Sequence, residues 1–478
     1  MNPTQNGTGS RNDNMVERPV GCLFASEDPS LPRGQMVTFL LDKTPKQFCD
    51  GGDMQRLFRR LSKGLLFAGC FAQAVFGQQA AQKTMTWQQA REEFEKSNPT
   101  LRAARLGIDE SRDEEITAYL RPNPDLTVSL DQINPFTDNP VNKYSPFSEA
   151  LPYFSSSYLH ERRHKRELRL ESAQKATAIA QSQLADQERT LLFTLRGAFV
   201  QALQAKAVRD LAKDNLAYFD HELGISRDRY KAGDIARVDL DRQELLRVTY
   251  ESDLQTAEVN LRTAKIQLLQ LLNDRTPIER FDVQGPFDFT EQVPAQDELH
   301  RVAMETRPDL KAAVQSVDKA QTDYKLAMAN GSTDPTFGVD LGRNPPIPVY
   351  VGVSVNIPLR IFDKNQGEKA RTQVDITRNE RLRDAAEAQV FSDVDSAYAT
   401  LLSTVTLLRP YKAKYLETAG RVRDTIAFSY QHGQAALVDY LDAQRDYRAV
   451  QVSYLNLVGS YLAAASQLNL AVGREVMQ

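Results

Sequence analysis

Most of the chain carries apolar residues at spacings of three, four and seven, a pattern typical of long amphipathic helices. In the segment from about 161 to 223 these positions include Leu184, Leu191 and Leu195. Further helices are predicted over residues about 84 to 119, 239 to 272, 363 to 431 and 437 to 472. Pro410 falls inside one of them and should kink that helix or end it early. The narrow, Ala-rich stripes require close partner helices, as in coiled coils, so a mainly α fold of long antiparallel helices is expected.

Short segments between these helices read as β-strands, because they alternate apolar and polar residues and are bounded by turn formers. They cover residues about 124 to 133, 152 to 159, 335 to 342 and 349 to 359, which predicts two β-hairpins. Isolated hairpins leave their edge groups unpaired. Several chains that pooled their hairpins into one closed barrel would pair those groups, and the strands are close to the roughly 9 to 11 residues that a membrane barrel requires.

Three short sequences occur twice in the chain, in the same order and about 200 residues apart. The pairs are YKAGDIARVD at 230–239 and YQHGQAALVD at 430–439, NPTLRAA at 98–104 and RPDLKAA at 307–313, and PDLTVSL at 124–130 and PTFGVDL at 335–341. Such a repeat indicates two copies of one structural unit. We predict a first repeat over residues 84–272, a linker over 273–296 and a second repeat over 297–473, each repeat with a helix, a β-hairpin and a long helix pair.

The N-terminal part predicts export from the cytoplasm. Residues 1–53 are polar and show no periodicity, which fits a disordered or mis-assigned N-terminal extension. Residues 54–77 have the basic start, apolar centre and small residues of a signal peptide. Cleavage before Cys70, followed by lipidation, is the alternative to a plain N-terminus. The three cysteines stand at 22, 49 and 70, so the exported chain has no internal disulfide.

The composition argues against one class of partner and against one kind of membrane contact. The 59 basic residues are balanced by 63 acidic ones, which argues against nucleic acid as a general partner. Outside the signal peptide no apolar run approaches the roughly 20 residues of a membrane helix. Any contact with a membrane must therefore be made by strands or by an attached lipid.

Four features of the sequence are typical of one known family: the internal repeat, RPDLKAA, the two Tyr-x-x-Gly turns, and VDYLD at 438–442. In these features the sequence resembles the TolC-like outer-membrane efflux protein (outer membrane factor) family. The resemblance covers residues from about 84 to 473. It implies a homotrimer whose twelve-stranded barrel in outer-membrane lipid continues into an α-helical periplasmic tunnel. It further implies a passive duct, with no enzymatic activity and no cofactor, that docks with a periplasmic adaptor (membrane fusion) protein and an inner-membrane efflux pump.

The resemblance assigns roles to the two turns and to the start of the last helix. Gly233 and Gly433 would form the turns at the periplasmic tips, where glycine adopts backbone angles that other residues avoid. Asp439 and Asp442, one helical turn apart, would form two carboxylate rings that line a cation-selective aperture. For the first carboxylate of each return helix, Asp239 and Asp439, a helix N-cap is the alternative.

The same resemblance implies a set of bonds that closes the aperture. Tyr430 and Asp239 match a pair that joins neighbouring hairpins. The family pattern also has an Arg where this chain has Ala435, so we expect Arg237 from the other turn to take that place.

HERRH at 160–164 is a literal H-E-x-x-H pattern, in which His160 and His164 would bind zinc and Glu161 would act as a base. The four basic residues Arg162, Arg163, Lys165 and Arg166 crowd this segment, and positive charge disfavours a dication. We therefore interpret the pattern as a solvated junction between a strand and a helix.

The long helices also favour a second function for the whole chain, namely a rod-like coiled-coil envelope scaffold or a periplasmic adaptor.

Overall fold

The computed structural model describes residues 83–133, 147 and 149–477. The predicted extension (1–53), the signal peptide (54–77) and Cys70 lie outside the described residues. The strands are β1 (Lys83–Met85), β2 (Asp125–Asp131), β3 (Leu151–Leu159), β4 (Phe281–Val283), β5 (Thr336–Asn344) and β6 (Ile347–Asn356). The helices are α1 (Trp87–Ser97), α2 (Pro99–Tyr119), α3 (Lys165–Ala232), α4 (Arg237–Leu271), α5 (Gln296–Thr306), α6 (Pro308–Asn330), α7 (Gln366–Pro410), α8 (Leu416–Gln431) and α9 (Leu437–Val472).

The longest helix, α3, has 68 residues and is about 100 Å long at about 1.5 Å per residue. Its predicted end near residue 223 was wrong. The helix continues to Ala232 because Gly233, with φ at +83°, is the first residue in the left-handed conformation that ends helices. α4 then returns along α3 as an antiparallel partner.

The helix predicted over residues 363 to 431 is interrupted at Pro410, as expected. Proline has no backbone N–H and its ring clashes with the preceding turn, so the regular bonding pattern cannot continue through it. Tyr411–Tyr415 form a π-helical turn, and α8 resumes at Leu416. The final helix occupies 437–472, as predicted.

The predicted single helix over residues about 84 to 119 is instead a short strand followed by two helices. The break falls at Asn98 and Pro99, where the Asn98 Oδ1 accepts a hydrogen bond from the Leu101 N–H at 3.0 Å and caps α2. The segment 273–296, predicted as a linker, contains β4, which pairs in parallel with β1. Thus the beginning of the described chain is tied to the connection between the two halves.

The other four strands form one antiparallel sheet in the order β2-β3-β5-β6. Val128 lies opposite Phe154, Phe154 opposite Leu341, and Leu341 opposite Val351. The last strand lies at 347–356, earlier than the predicted 349–359. The central β3–β5 pair joins the two predicted hairpins into a single four-stranded sheet.

Apolar side chains between the helices form the core. An apolar stripe on α7 is buried and packs on α9; its members are Val390, Val394, Ala397, Leu401, Val405 and Leu408. A second cluster joins α1 and α2 to α3 and α4, with Phe94, Phe199 and Leu268 almost without solvent exposure. These contacts hold the long helices in antiparallel pairs.

A buried arginine fastens α6 and α7 to the end of α9. Arg307, only 5% exposed, donates hydrogen bonds to Asp309 at 2.6 Å, to Asp393 at 2.8 Å and to the Ala471 carbonyl at 3.2 Å. Burial alone would raise the pKa of the Asp309 carboxyl, but the bond from Arg307 outweighs it, and the pKa is held below its usual value.

Candidate functional site: the two-faced sheet and the helical tips

The four-stranded sheet has one apolar and one polar face. Because side chains alternate along a strand, the registers place thirteen positions of the four strands on one face. They are Leu126, Val128, Leu130, Pro152, Phe154, Ser156, Tyr158, Phe337, Val339, Leu341, Val351, Val353 and Val355. Most are large, apolar and exposed; Val353 is 85% and Val351 71% exposed. An exposed apolar surface of this extent marks contact with lipid or with another protein.

The opposite face of the sheet carries mostly Asp, Ser, Thr, Tyr, Asn and Gly, with Leu151 and Leu159 at the two ends of β3. Asp340 on β5 accepts hydrogen bonds from the Tyr153 hydroxyl at 2.8 Å and from the Ser155 hydroxyl at 2.7 Å, both on β3. A sheet with lipid-compatible residues outside and hydrogen-bonding residues inside has the pattern of a barrel wall around water. No helix in the described part of the chain has an apolar stretch long enough to cross a bilayer.

HERRH lies between the end of β3 and the start of α3, so its two histidines do not share a helical turn. Arg163 and His164 both have positive φ. Glu161 is held by Arg169, whose two terminal nitrogens bond its two oxygens at 2.5 and 2.8 Å. The carboxylate that a zinc protease needs as its base is therefore committed to a guanidinium, which agrees with the interpretation as a junction.

At the other end of the long helices, the chain reverses twice with the same turn. Gly233 and Gly433 have φ at +83° and +73°, and each backbone N–H bonds the carbonyl three residues earlier, at 3.0 and 3.1 Å. These are the two predicted tip glycines. A residue with a Cβ would be strained at either position.

Asp439 and Asp442 are both exposed at the start of α9, on a groove of about 420 Å³ between α8 and α9. The N-cap residues are Ala236 and Ala436, so the N-cap alternative for Asp239 and Asp439 was wrong by position. From the first turn, Asp439 instead accepts a hydrogen bond from the Ala436 N–H at 3.3 Å. Asp442 forms an exposed ion pair with Arg445 at 3.2 Å.

The two hairpin tips are joined by a buried polar network on Tyr430. The Tyr430 hydroxyl accepts a hydrogen bond from Gln243 Nε2 at 3.2 Å, and the Ser226 hydroxyl donates to Gln243 Oε1 at 2.8 Å. Gln243 is 0% exposed and Tyr430 8%. The expected partner of Tyr430 was Asp239, which lies one helical turn before Gln243 on α4. The described residues show no hydrogen bond between them, although burial and the charge of Asp239 both raise the pKa of the Tyr430 hydroxyl.

Further contacts across the tips surround this network. Gln431 donates to Glu222 at 3.0 Å, Arg229 donates to the Tyr430 carbonyl at 3.4 Å, and the Tyr430 ring stacks on Tyr440 at 5.0 Å between centroids. None of these partners was predicted from the sequence. Their one sequence signal is a polar residue at an apolar seam position of α4, where Gln243 stands between the buried Leu240 and Tyr250.

Arg237 of the first hairpin was expected to stand in for the missing arginine of the closing network, but among the described residues its contacts are with its own hairpin. It forms an ion pair with Asp241 at 2.8 Å, one turn along α4, and its guanidinium lies 5.7 Å from the centre of the Tyr230 ring. Both contacts are exposed. Within the described chain, Arg237 therefore stabilises its own turn, and the contacts to the second hairpin come from Arg229.

Comparisons with known proteins agree with this geometry. Residues 299–474 match the family model "Outer membrane efflux protein". The chain is 24% identical to the cobalt-zinc-cadmium resistance protein CzcC of Cupriavidus metallidurans, over 79% of this chain and 87% of that protein. It is 25% identical to the pyoverdine export outer membrane protein OpmQ of Pseudomonas aeruginosa, over 60% of this chain and 62% of that protein.

Solved structures show the same fold. The structure of CusC is similar with a TM-score of 0.68 and 15% identity, over 84% of this chain and 96% of that chain. The open-state structure of the Neisseria gonorrhoeae MtrE outer membrane channel is similar with a TM-score of 0.66 and 17% identity, over 82% and 89%.

The two-faced sheet and the long helices that end in a polar tip network define an outer-membrane channel protein. Its long helices share the fold of the helical part of those solved channels. Residues 299–474 match the outer membrane efflux protein family, and the chain as a whole is similar to TolC-like outer-membrane channels.

Proposed function

We propose that three copies of the chain form one passive exit duct, in which a twelve-stranded barrel continues into a helical periplasmic tunnel. The repeats at 84–272 and 297–473 are internal duplicates that supply two strands and one long helix pair each. Residues 54–77 are the signal peptide that directs the chain to the envelope. The duct receives solute from an inner-membrane pump through a periplasmic adaptor, and it performs no chemistry.

The apolar face of the four-stranded sheet carries this proposal. Strands β2 and β6 have no further partner strand among the described residues, so each copy presents two open edges. Pairing β2 of one copy with β6 of the next would close a ring without leaving edge groups in lipid. The exposed valines of β6 would then face the acyl chains, and Asp340 would face water inside the barrel.

Exposed apolar positions on α4 support lateral assembly of the helical part. Every seventh residue from Val238 gives a seam on one face of the helix: Val238, Leu245, Ser252, Val259 and Ile266. Its four apolar members are 48 to 71% exposed. A heptad seam is the sequence pattern of packing against another helix. In a trimer this seam would pack on a helix of the neighbouring copy.

At the tips, we assign the aperture to Asp439 and Asp442 and its closing contacts to Tyr430, Gln243 and Glu222. Three copies around an axis would gather six carboxylates, which attract cations and repel anions. Each protomer would be held closed by the Tyr430 network until the adaptor separates the two hairpins.

The test is planar-bilayer conductance of the detergent-purified protein, after its mass in the same detergent has been measured. We expect the mass of a trimer and discrete, cation-selective openings. A water-soluble species that needs no detergent and gives no conductance would contradict the proposal and favour the coiled-coil scaffold.

A further inference from the structure

A second cavity lies beside the middle of α3, and its lining contains no residue of the four-stranded sheet or of the two tip turns. It occupies about 560 Å³ between α1, α3, α9 and the loop after β4. Small-molecule sites are usually about 300 to 1,000 Å³ and mostly apolar. Its lining includes five large apolar side chains: Trp87, Phe199, Val200, Leu203 and Leu462. Size and lining are thus those of a ligand pocket.

One charged side chain, Arg196 of α3, lines this apolar pocket. Its guanidinium lies 4.5 Å from the centre of the Trp87 ring, which in turn packs on Phe199 with centroids 5.9 Å apart. Burial lowers the pKa of Arg196, with a partial opposing effect from Glu475. Glu475 itself is paired with Arg91 at 3.4 Å.

In the described part of the chain, the half-buried Arg196 has no carboxylate within ion-pair distance, in contrast to two arginines near it in the sequence or more deeply buried than it. Arg189, two turns earlier on α3, pairs with Asp186 at 2.6 Å, and the buried Arg307 pairs with two aspartates. A half-buried cation without a counter-ion is unfavourable, and an anion placed beside it removes that cost. The pocket therefore presents a positive charge at the edge of an apolar volume.

Gly285 helps to keep the volume open. A Cβ at this position would lie 3.4 Å from the Leu203 Cδ1 and 3.6 Å from the Phe199 Cε1, both on the pocket wall. Gly285 does not have a positive φ, so its backbone accepts a side chain. A larger residue at 285 would project against the wall and reduce the pocket.

We propose that this pocket binds an amphipathic carboxylic acid, with its apolar body against Trp87, Phe199 and Leu203 and its carboxylate on Arg196. The planar guanidinium pairs with a carboxylate through two parallel hydrogen bonds, which suits this class of ligand. The inference rests on the cavity and the unpaired charge, and it does not depend on whether the protein conducts ions.

The chain offers a direct readout, because Trp87 is its single tryptophan and lies in the pocket. The full-length protein in a non-ionic detergent is titrated with decanoate while the tryptophan emission is recorded, and decanol serves as the uncharged control. We expect a saturable change with decanoate and a much weaker one with decanol. Arg196→Gln should weaken decanoate binding by about tenfold or more, because a bond to a charged group is lost.

Gly285→Leu tests the apolar half of the site, since it reduces the volume and leaves Arg196 in place. This substitution should weaken the binding of both decanoate and decanol, whereas Arg196→Gln should weaken the binding of decanoate alone. Unchanged mass in detergent and unchanged thermal unfolding would show that each variant is folded. The proposal is overturned by equal responses to decanoate and decanol, by equal affinity in Arg196→Gln, or by a Trp87 that responds to neither ligand because a neighbouring copy covers it.

Discussion

Removing the hydroxyl of Tyr430 should open the periplasmic tip. In Tyr430→Phe, Gln243 Nε2 loses its partner at 3.2 Å while the amide stays fully buried. An unsatisfied buried donor costs about 1–3 kcal/mol, and about 1.4 kcal/mol is a tenfold change in an equilibrium. When the tip opens, water can reach the amide, so the cost falls on the closed state alone. The closed-to-open ratio of each protomer should therefore fall by about fivefold to about a hundredfold.

Single-channel recording in planar bilayers measures this change as open probability and mean conductance. Tyr230→Phe is the matched control, because Tyr230 occupies the equivalent place in the first turn but is 36% exposed, against 8% for Tyr430. The control should behave as the unmodified channel. If Tyr430→Phe forms a folded trimer of normal mass and still opens no more often than the control, the network does not hold the tip closed.

Three further predictions concern the aperture, the sheet and the buried ion pair. Replacing Asp439 and Asp442 with Asn should reduce the cation preference of the channel and its block by multivalent cations. An unchanged reversal potential in a salt gradient would show that these residues do not line the aperture. Val353→Arg should destabilise the membrane-inserted protein by up to about 2–4 kcal/mol, and Ser354→Arg on the polar face should not, as measured by urea unfolding in lipid vesicles. Because the pKa of Asp309 is lowered in the fold, its stabilisation is present above the usual aspartate pKa and is lost as the pH falls through the lowered value. Asp309→Asn should therefore lower the thermal midpoint at neutral pH and make it fall less on acidification, whereas an unchanged acid slope would contradict this account.

The sequence predicted the features that depend on local pattern. Period-2 alternation located β3 within one residue, and heptad spacing located α9 at 437–472. The sequence did not predict features that depend on contacts between residues far apart in the chain. The strands β1 and β4 have three residues each, too few for a period to be visible, and they exist because they pair with each other. The contact of Tyr430 with Gln243 was not predicted for the same reason, since the two residues meet only after the two hairpins have packed together.

The two tip turns share one sequence pattern, but their surroundings differ. Gly233 and Gly433 give both turns the same backbone conformation. However, Tyr230 before the first turn is exposed, whereas Tyr430 before the second turn is buried. The backbone depends on glycine and on local bonds, which the repeat preserves. Burial depends on what packs against the hairpin, and only Tyr430 meets Gln243 and the Tyr440 ring. The contacts between hairpins therefore place the proposed closing network on Tyr430, at the second turn.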